Sequence, residues 1–328
     1  MLRIGKISYW HVHAWDYTKQ AQEHPDTEIA AVWDEDEERG RAAAEKLGVP
    51  FYTDLNDLLA SDIDAVIVDA PTNRHAEVML AAAAAGKHIF TEKVVAPTLA
   101  EVNQILKAVE DNGLKLTVSL PRLNDGYTLA IRELLDKEAL GQVTQVRVRL
   151  SHNGALANWL PEHFYNLEQC AGGALIDLGC HPMYLTRLFL GDLPSEVSAQ
   201  FGYVTGREVE DNAIALVKGS NGAVGIVEAG FVNPHSPFSI EVHGTKGSLF
   251  YGTPDSELLV RANNDEAWQS VAIPANRESA FHQWVGHVQN GTTAEENIAL
   301  AKELTMLMEA ANLSVAQGRS VRLDELKG

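Results

Sequence analysis

The sequence predicts an α/β domain on a doubly wound parallel sheet, followed by an α+β domain with an open, mostly antiparallel sheet. Three observations predict it. Strand-length apolar runs alternate with helix-length segments over the first third of the chain. After Pro121 the texture changes to successive strand-like stretches joined by Gly/Asn turns such as Ser220-Asn221-Gly222. The length, 328 residues, suits two domains. The expected division is 1–121 and 122–328, with the C-terminal helix free to pack back on the first domain.

Residues 3–8 form an apolar run suited to a buried parallel strand, and residues 13–23 have helical character. Residues 28–34 read as a second strand ending in acid, and 37–47 as an Ala-rich helix closed by Gly48. A short strand follows near Phe51. Residues 65–70 are the clearest buried strand, 74–85 a helix stopped at Gly86, and 88–91 a further strand. The helix 99–112 precedes Gly113, and 115–120 is the sixth strand. Strands separated by crossover helices imply right-handed parallel connections, the plan of a Rossmann-type domain. In the second domain 142–152, 196–204, 212–218, 223–232 and 239–243 read as strands, and 179–190, 277–290 and 294–317 as helices.

Hydrophobic content of 45% and charged content of 22% suit a soluble protein with a large core. The formal net charge of -19 repels phosphate backbones, which argues against nucleic-acid or anionic-membrane binding. The two cysteines, Cys170 and Cys180, lack metal-finger spacing and suggest a reducing compartment. The chain opens in a strand-like pattern with no leader regions, and the apolar run 80–85 is too short for a membrane span. A cytoplasmic location is expected.

The turn after the first strand reads Ser8-Tyr9-Trp10-His11-Val12-His13. A phosphate-cradling turn wants glycines where this chain has Ser8, Trp10 and His13. The helix start would still offer backbone N–H groups to an anion near His11 and Val12. His11 and His13 suggest a metal, but with no acid or cysteine set nearby in sequence a structural role is preferred, and no metal is expected.

The second strand ends in Asp34, placed to accept adenosine ribose hydroxyls and to repel a 2′-phosphate. With Glu35 and Asp36 beside it and no adjacent arginine, NAD is favoured over NADP. The bland alternative makes Asp34 a helix cap. A cofactor across the strand ends would touch Ala70, Pro71, Thr72, Asn73 and His75, with Thr72 or Asn73 capping the next helix. The fifth strand ends in Glu92-Lys93, where a lysine can hydrogen-bond a substrate hydroxyl or simply pair with Glu92 at a partly exposed position.

Near the middle, Gly172-Gly173 leads to Asp177 and His181. At a spacing of four on a helix the acid can reach the imidazole ring, the minimum for a proton-transfer couple. Arg122, Asn153, Trp159, His163 and Tyr165 are candidates for substrate contact: the aromatics can stack on a sugar face and the guanidinium can bind hydroxyls or a carboxylate.

Thr72-Asn73 with His75, residues 85–88 (Ala-Gly-Lys-His), Glu92-Lys93, Gly172-Gly173 with Asp177 and His181, and residues 243–248 occur in an order that resembles the glucose–fructose oxidoreductase/inositol dehydrogenase (Gfo/Idh/MocA) family over essentially the whole chain. The resemblance implies a Rossmann domain followed by an open sheet on which homodimers or homotetramers form. It also implies a catalytic trio: His181 as base, Asp177 orienting substrate or His181, and Lys93 holding the reacting oxygen. Three positions depart from the family pattern: the glycine-poor turn, Val94 in place of a proline, and Tyr184 where an acid is common. The expected activity is NAD-dependent oxidation or reduction of a secondary hydroxyl on a sugar, sugar derivative or cyclitol. The rivals are an NAD-dependent glycosidase that oxidises its sugar transiently, and a metal-dependent or non-catalytic protein using Asp177, His181 and His163 as ligands.

Overall fold

A computed structural model describes residues 1–235, 238–263 and 267–328. The chain divides into two compact units: residues 1–119 and 278–302 with Gly328, and residues 120–277 with 303–327.

The first unit holds six parallel strands: β1 (Leu2–Ile7), β2 (Thr27–Trp33), β3 (Phe51–Tyr52), β4 (Ala65–Val68), β5 (His88–Thr91) and β6 (Leu116–Val118). Their order, β3-β2-β1-β4-β5-β6, reverses direction between β1 and β4, where α/β sheets bind ligands. The helices are α1 (Ala14–Glu23), α2 (Glu37–Leu47), α3 (Leu55–Ala60), α4 (His75–Ala84) and α5 (Leu99–Asp111). Local chemistry sets their ends. Asp36 caps α2 by accepting from the Arg39 N–H, and Thr98 with Glu101 forms a reciprocal capping box on α5.

The strands are apolar on both faces because both are covered. On one face Tyr17 and Ala21 of α1 pack with Ile4, Ile29, Ile67 and Phe90. The same cluster takes Phe281, Trp284 and Val285 from a late helix, residues 280–290, so a segment distant in sequence completes this core.

In the second unit the sequence-based strands are present, and further short ones join them. After α6 (Gly126–Asp136) comes β7 (Val143–Ser151), then the short helices α7 (Gly154–Ala157), α8 (Leu167–Cys170) and α9 (Ala174–Asp177), and α10 (Cys180–Leu190). The strands β8 (Glu196–Gly202), β9 (Asn212–Lys218), β10 (Val224–Gly230), β11 (Ser239–Gly244), β12 (Gly247–Gly252), β13 (Glu257–Ala262) and β14 (Gln269–Val271) follow; α11 (Ala280–Asn290) and the start of α12 (Glu295–Gln317) belong to the first unit, and the rest of α12 and β15 (Val321–Arg322) to the second. The sheet order is β14-β13-β12-β11-β7-β10-β9-β8-β15.

All described pairings in this sheet are antiparallel except β7 with β10. Helix α10 packs on β7 and β10. The inward positions Val146, Val148, Ala215, Val217, Val227, Ile240 and Val242 are buried, and the outward Ile214, Leu216 and Val224 are exposed. Sequence reading missed β12 to β15 because short strands punctuated by Gly247 and Gly252 carry little periodicity of their own. Among the described residues no helix is long and apolar enough to cross a membrane.

Candidate functional site

The turn after β1 departs from expectation. Ser8 sits at φ 69°, the left-handed conformation that normally favours glycine, so the turn's shape survives without one. Lys6 explains how. It is a charged residue in a buried strand, and its Nζ donates to the Ser8 carbonyl at 3.0 Å and to the Asp69 carboxylate. Burial pushes the lysine down and Asp69 up, so this pair is held against a desolvation cost.

The turn's N–H groups are largely engaged inside the chain. Tyr9 N–H donates to Asp34 Oδ2 (2.8 Å), Trp10 N–H to Ser8 Oγ (3.1 Å) and His11 N–H to the Asp69 carbonyl (3.2 Å). The anion-facing N–H expected at His11 is therefore directed inward. Trp10, in the second glycine position, is buried, whereas Val12 is exposed.

Asp34 is buried beyond β2. Its Oδ1 accepts from Asp36 N–H (2.8 Å) and Arg39 Nη2 (2.6 Å), and its Oδ2 accepts from Tyr9 N–H and from Arg39 Nε (2.9 Å). Asp36, not Asp34, caps α2, which removes the bland reading. The expectation of no adjacent arginine is corrected: Arg39, five residues on, reaches back one helical turn and grips Asp34 in a fork and Glu35 at 2.6 Å.

After β4, residues Thr72–Arg74 form a 3₁₀ turn entering α4, whose N-cap, Arg74, makes no side-chain capping bond, so neither Thr72 nor Asn73 caps it. Pro71 precedes this turn. His75 is fully buried with Nε2 at the Ala70 carbonyl (3.0 Å) and Nδ1 at the Val94 carbonyl (2.9 Å), tying the segment after β4 to that after β5. Its ring is thus occupied within the unit rather than turned to a ligand.

At the end of β5, Lys93 is 6% exposed rather than partly exposed. Its N–H donates to Glu92 Oε2 (2.8 Å), and the Lys93–Val94 peptide is cis. Glu92 also accepts from the Tyr17 hydroxyl and lies 3.7 Å from His11 Nδ1. Burial opposes its charge, but His11, Lys93 and His13 together hold it below the usual carboxylate range. The premise that His11 and His13 lack a nearby acid is corrected: tertiary folding brings Glu92 to them.

In the second unit the Gly172-Gly173 loop packs against Glu210. A side chain on Gly173 would lie 2.2 Å from the Glu210 carbonyl oxygen, and Gly172 has φ 152°, so both positions require glycine. Asp177 and His181 do not share one helix: Asp177 ends α9 and His181 lies in α10. The ring of His181 is buried, with Nδ1 3.2 Å from the Tyr184 hydroxyl, which also accepts the Arg122 N–H at 3.0 Å. The tyrosine that departs from the family pattern is therefore a partner of His181.

The expected substrate residues fall into three settings. Asn153 Oδ1 accepts from Trp159 Nε1 (3.2 Å), and the exposed Trp159 ring lies 4.6 Å from His152, itself stacked on Phe231. Asp177 acts electrostatically on His152, whose pKa burial lowers, so this histidine joins the acid's surroundings. Arg122 donates to the Tyr127 hydroxyl (3.1 Å) and lies 4.2 Å over the Phe238 ring. Tyr165 is buried with the Arg207 guanidinium 3.7 Å over its ring, so one face is already covered. His163 lies in the same 3₁₀ turn as Tyr165, its carbonyl accepting from Cys170 Sγ. Asp177, His181 and His163 do not assemble as a metal-binding group among the described residues.

Sequence reading missed Lys6, Arg39, His152 and Glu210. A lone lysine inside the run Ile4-Gly5-Lys6-Ile7 was the one legible signal, since such a charge must be paired.

The strand order and the acid closing β2 define a dinucleotide-binding α/β protein joined to an open-sheet domain. Residues 4–120 match the "Oxidoreductase family, NAD-binding Rossmann fold", and residues 128–250 match the "GFO/IDH/MocA C-terminal domain". The chain is 32% identical to a D-xylose 1-dehydrogenase (NADP(+)) 2 of Haloferax volcanii over 93% of this chain and 94% of that one. It is 29% identical to a 1,5-anhydro-D-fructose reductase of Ensifer adhaerens over 88% and 91%. A levoglucosan dehydrogenase solved with NADH and levoglucosan superposes with a TM-score of 0.83 at 21% identity, covering 98% of this chain and 99% of that one. This protein belongs to the Gfo/Idh/MocA oxidoreductase family.

The residues fit a dinucleotide in part. Asp34 and Arg39 stand past the end of β2, where an adenosine ribose would lie, and Ser8 keeps the glycine-type turn. In that same turn the inward-bonded N–H groups of Tyr9, Trp10 and His11 depart from a usual pyrophosphate cradle.

Proposed function

We propose that this protein is a nicotinamide-dependent dehydrogenase acting on a secondary hydroxyl of a sugar, sugar derivative or cyclitol. The observation that carries it is His181, buried at the start of α10 with Nδ1 on the Tyr184 hydroxyl. The phenolic oxygen has two acceptor lone pairs, so it can accept from both Arg122 N–H and His181 Nδ1–H. That tautomer leaves Nε2 as the base for a substrate hydroxyl proton. Asp177 orients the substrate hydroxyls or the imidazole, and Lys93 donates to the reacting oxygen and stabilises its negative charge. A bound nicotinamide supplies the hydride acceptor. Ser8, Trp10, His11 and Val12 of the first turn, Asp34, and the Ala70–Asn73 turn would line it.

NAD is the preferred form. Arg39 offsets one negative charge, but Asp34, Glu35 and Asp36 leave the ribose end net negative, which disfavours a 2′-phosphate. The same reading makes the protein a homodimer or homotetramer through the outer sheet face, supported by exposed Ile214, Leu216 and Val224. This reading keeps the reducing, cytoplasmic setting expected from two cysteines without framework spacing, Cys170 and Cys180.

The test is NAD titration by calorimetry followed by a polyol and sugar panel read at the nicotinamide absorbance. Lys93→Ala and His181→Ala are each expected to lower turnover by about 100-fold or more. No NAD binding, or unchanged turnover in both variants, overturns the proposal.

A further inference from the structure

We propose that His11, His13 and Glu92 form a binding site for a divalent transition-metal ion with nitrogen-rich coordination, such as Zn²⁺ or Co²⁺. One ligand atom from each of the three lies within 4.8 Å of the others. The three come from two places in the fold: His11 and His13 from the turn and N-cap before α1, and Glu92 from the end of β5.

The donor set selects the class of ion. Two imidazoles and one carboxylate suit zinc, cobalt, nickel or copper, whereas magnesium and calcium want oxygen ligands throughout. Three protein ligands leave a fourth position open to water or to an oxygen of a bound molecule. Tetrahedral bonds of about 2.0–2.1 Å place ligand atoms roughly 3.4 Å apart, so the set closes by about an ångström. His13 can make that adjustment because it is exposed, and it also provides the route of entry.

Supporting contacts already stand behind the ligands. His13 Nδ1 lies 3.0 Å from Asp16 Oδ2, the outer carboxylate that commonly orients a metal-bound imidazole and leaves Nε2 for the ion. Glu92 is fixed by the Tyr17 hydroxyl, which also bonds Ser119 Oγ at 2.6 Å. The competing cation is Lys93, whose charge acts on Glu92. The bland alternative is a His11–Glu92 ion pair at 3.7 Å, with His11 Nδ1 also accepting the His13 N–H at 3.2 Å, which gives the His13 ring no ligand role. Binding therefore has to depend on His13.

This site goes beyond the dehydrogenase reading and is tested without nucleotide. The full chain, freed of any affinity tag and of metal, is titrated with Co²⁺ and Zn²⁺ by calorimetry and by visible absorption. One equivalent should bind with a dissociation constant of about 10 μM or tighter, with Co²⁺ giving the d–d bands of a low-symmetry site. His13→Ala, at an exposed position, and His11→Ala should each weaken binding by about tenfold or more. His282→Ala, at a separate His24–His282 ring pair, should leave it unchanged. Absence of binding up to about 1 mM, or binding that survives His13→Ala, overturns the proposal. Neither result depends on whether NAD binds.

Discussion

Four donors converge on one carboxylate at Asp34: the Tyr9 and Asp36 N–H groups and two nitrogens of Arg39. Every acceptor direction of the group is in use, so a ribose would have to displace a donor, and the exchangeable one is the Arg39 side chain on α2. On the proposed reading, cofactor choice would turn on where that guanidinium points. Asp34→Ala frees Arg39 for a 2′-phosphate and should raise affinity for NADP relative to NAD by about tenfold, the scale of one charge-assisted hydrogen bond. Arg39→Ala should weaken NADP further while sparing NAD. Titration of both nucleotides against both variants checks this, and an unchanged ratio in each would leave Asp34 and Arg39 as a structural pair only. Sequence reading placed Asp34 correctly at the strand end but did not foresee its partner. Arg39 reaches it only because α2 turns the chain back over the end of β2.

At the scale of the element, the loop carrying Gly172 and Gly173 is held by Glu210, which lies between β8 and β9. The Glu210 carbonyl accepts from Ala174 N–H (2.9 Å) and its Oε1 from Leu175 N–H (2.9 Å). Burial pushes the Glu210 carboxyl up to about 7, above the backbone donors that favour its charge. A raised carboxyl pKa means the folded chain binds this proton more tightly than the unfolded one. The resulting stability is complete below about pH 4.5 and is lost as pH rises through about 7. Glu210→Gln keeps an acceptor for Leu175 without the charge. It should flatten this dependence and gain on the order of 2 kcal/mol over the parent at pH 8, with little difference at pH 5. Denaturant unfolding at the two pH values measures it. Equal loss at both would mean that the carboxylate, not its neutral form, holds the loop. Because Asp177 and His181 follow this loop directly, its stability bears on the residues proposed for proton transfer.

The whole molecule adds the outer face of the nine-stranded sheet. On β9, Ile214 and Leu216 alternate with buried neighbours and are each 47% exposed. They stand in register with Glu228 and Ile226 of β10. Arg147 of β7 pairs with Glu228 at 3.1 Å, so a polar network borders the apolar row. Such a face is what the proposed self-complementary interface would need. Light scattering should show a dimer or tetramer, and Leu216→Lys should shift it toward monomer without lowering the unfolding midpoint of the protomer. A monomeric parent would mean that this face is solvent-facing.

The sequence by itself determined the alternation of elements in the first domain, the change to consecutive strands after Pro121, and the family. Those depend on periodicity and on short ordered motifs, which are local properties. Tertiary structure alone decided that Ser8 takes a glycine's conformation over a buried Lys6–Asp69 pair, that residues 280–290 complete the first core, and that Glu92 stands beside His11 and His13. These depend on which strand ends and turns meet across the sheet. Residue spacing along the chain carries no information about groups eighty positions apart until the parallel crossovers bring them to one edge.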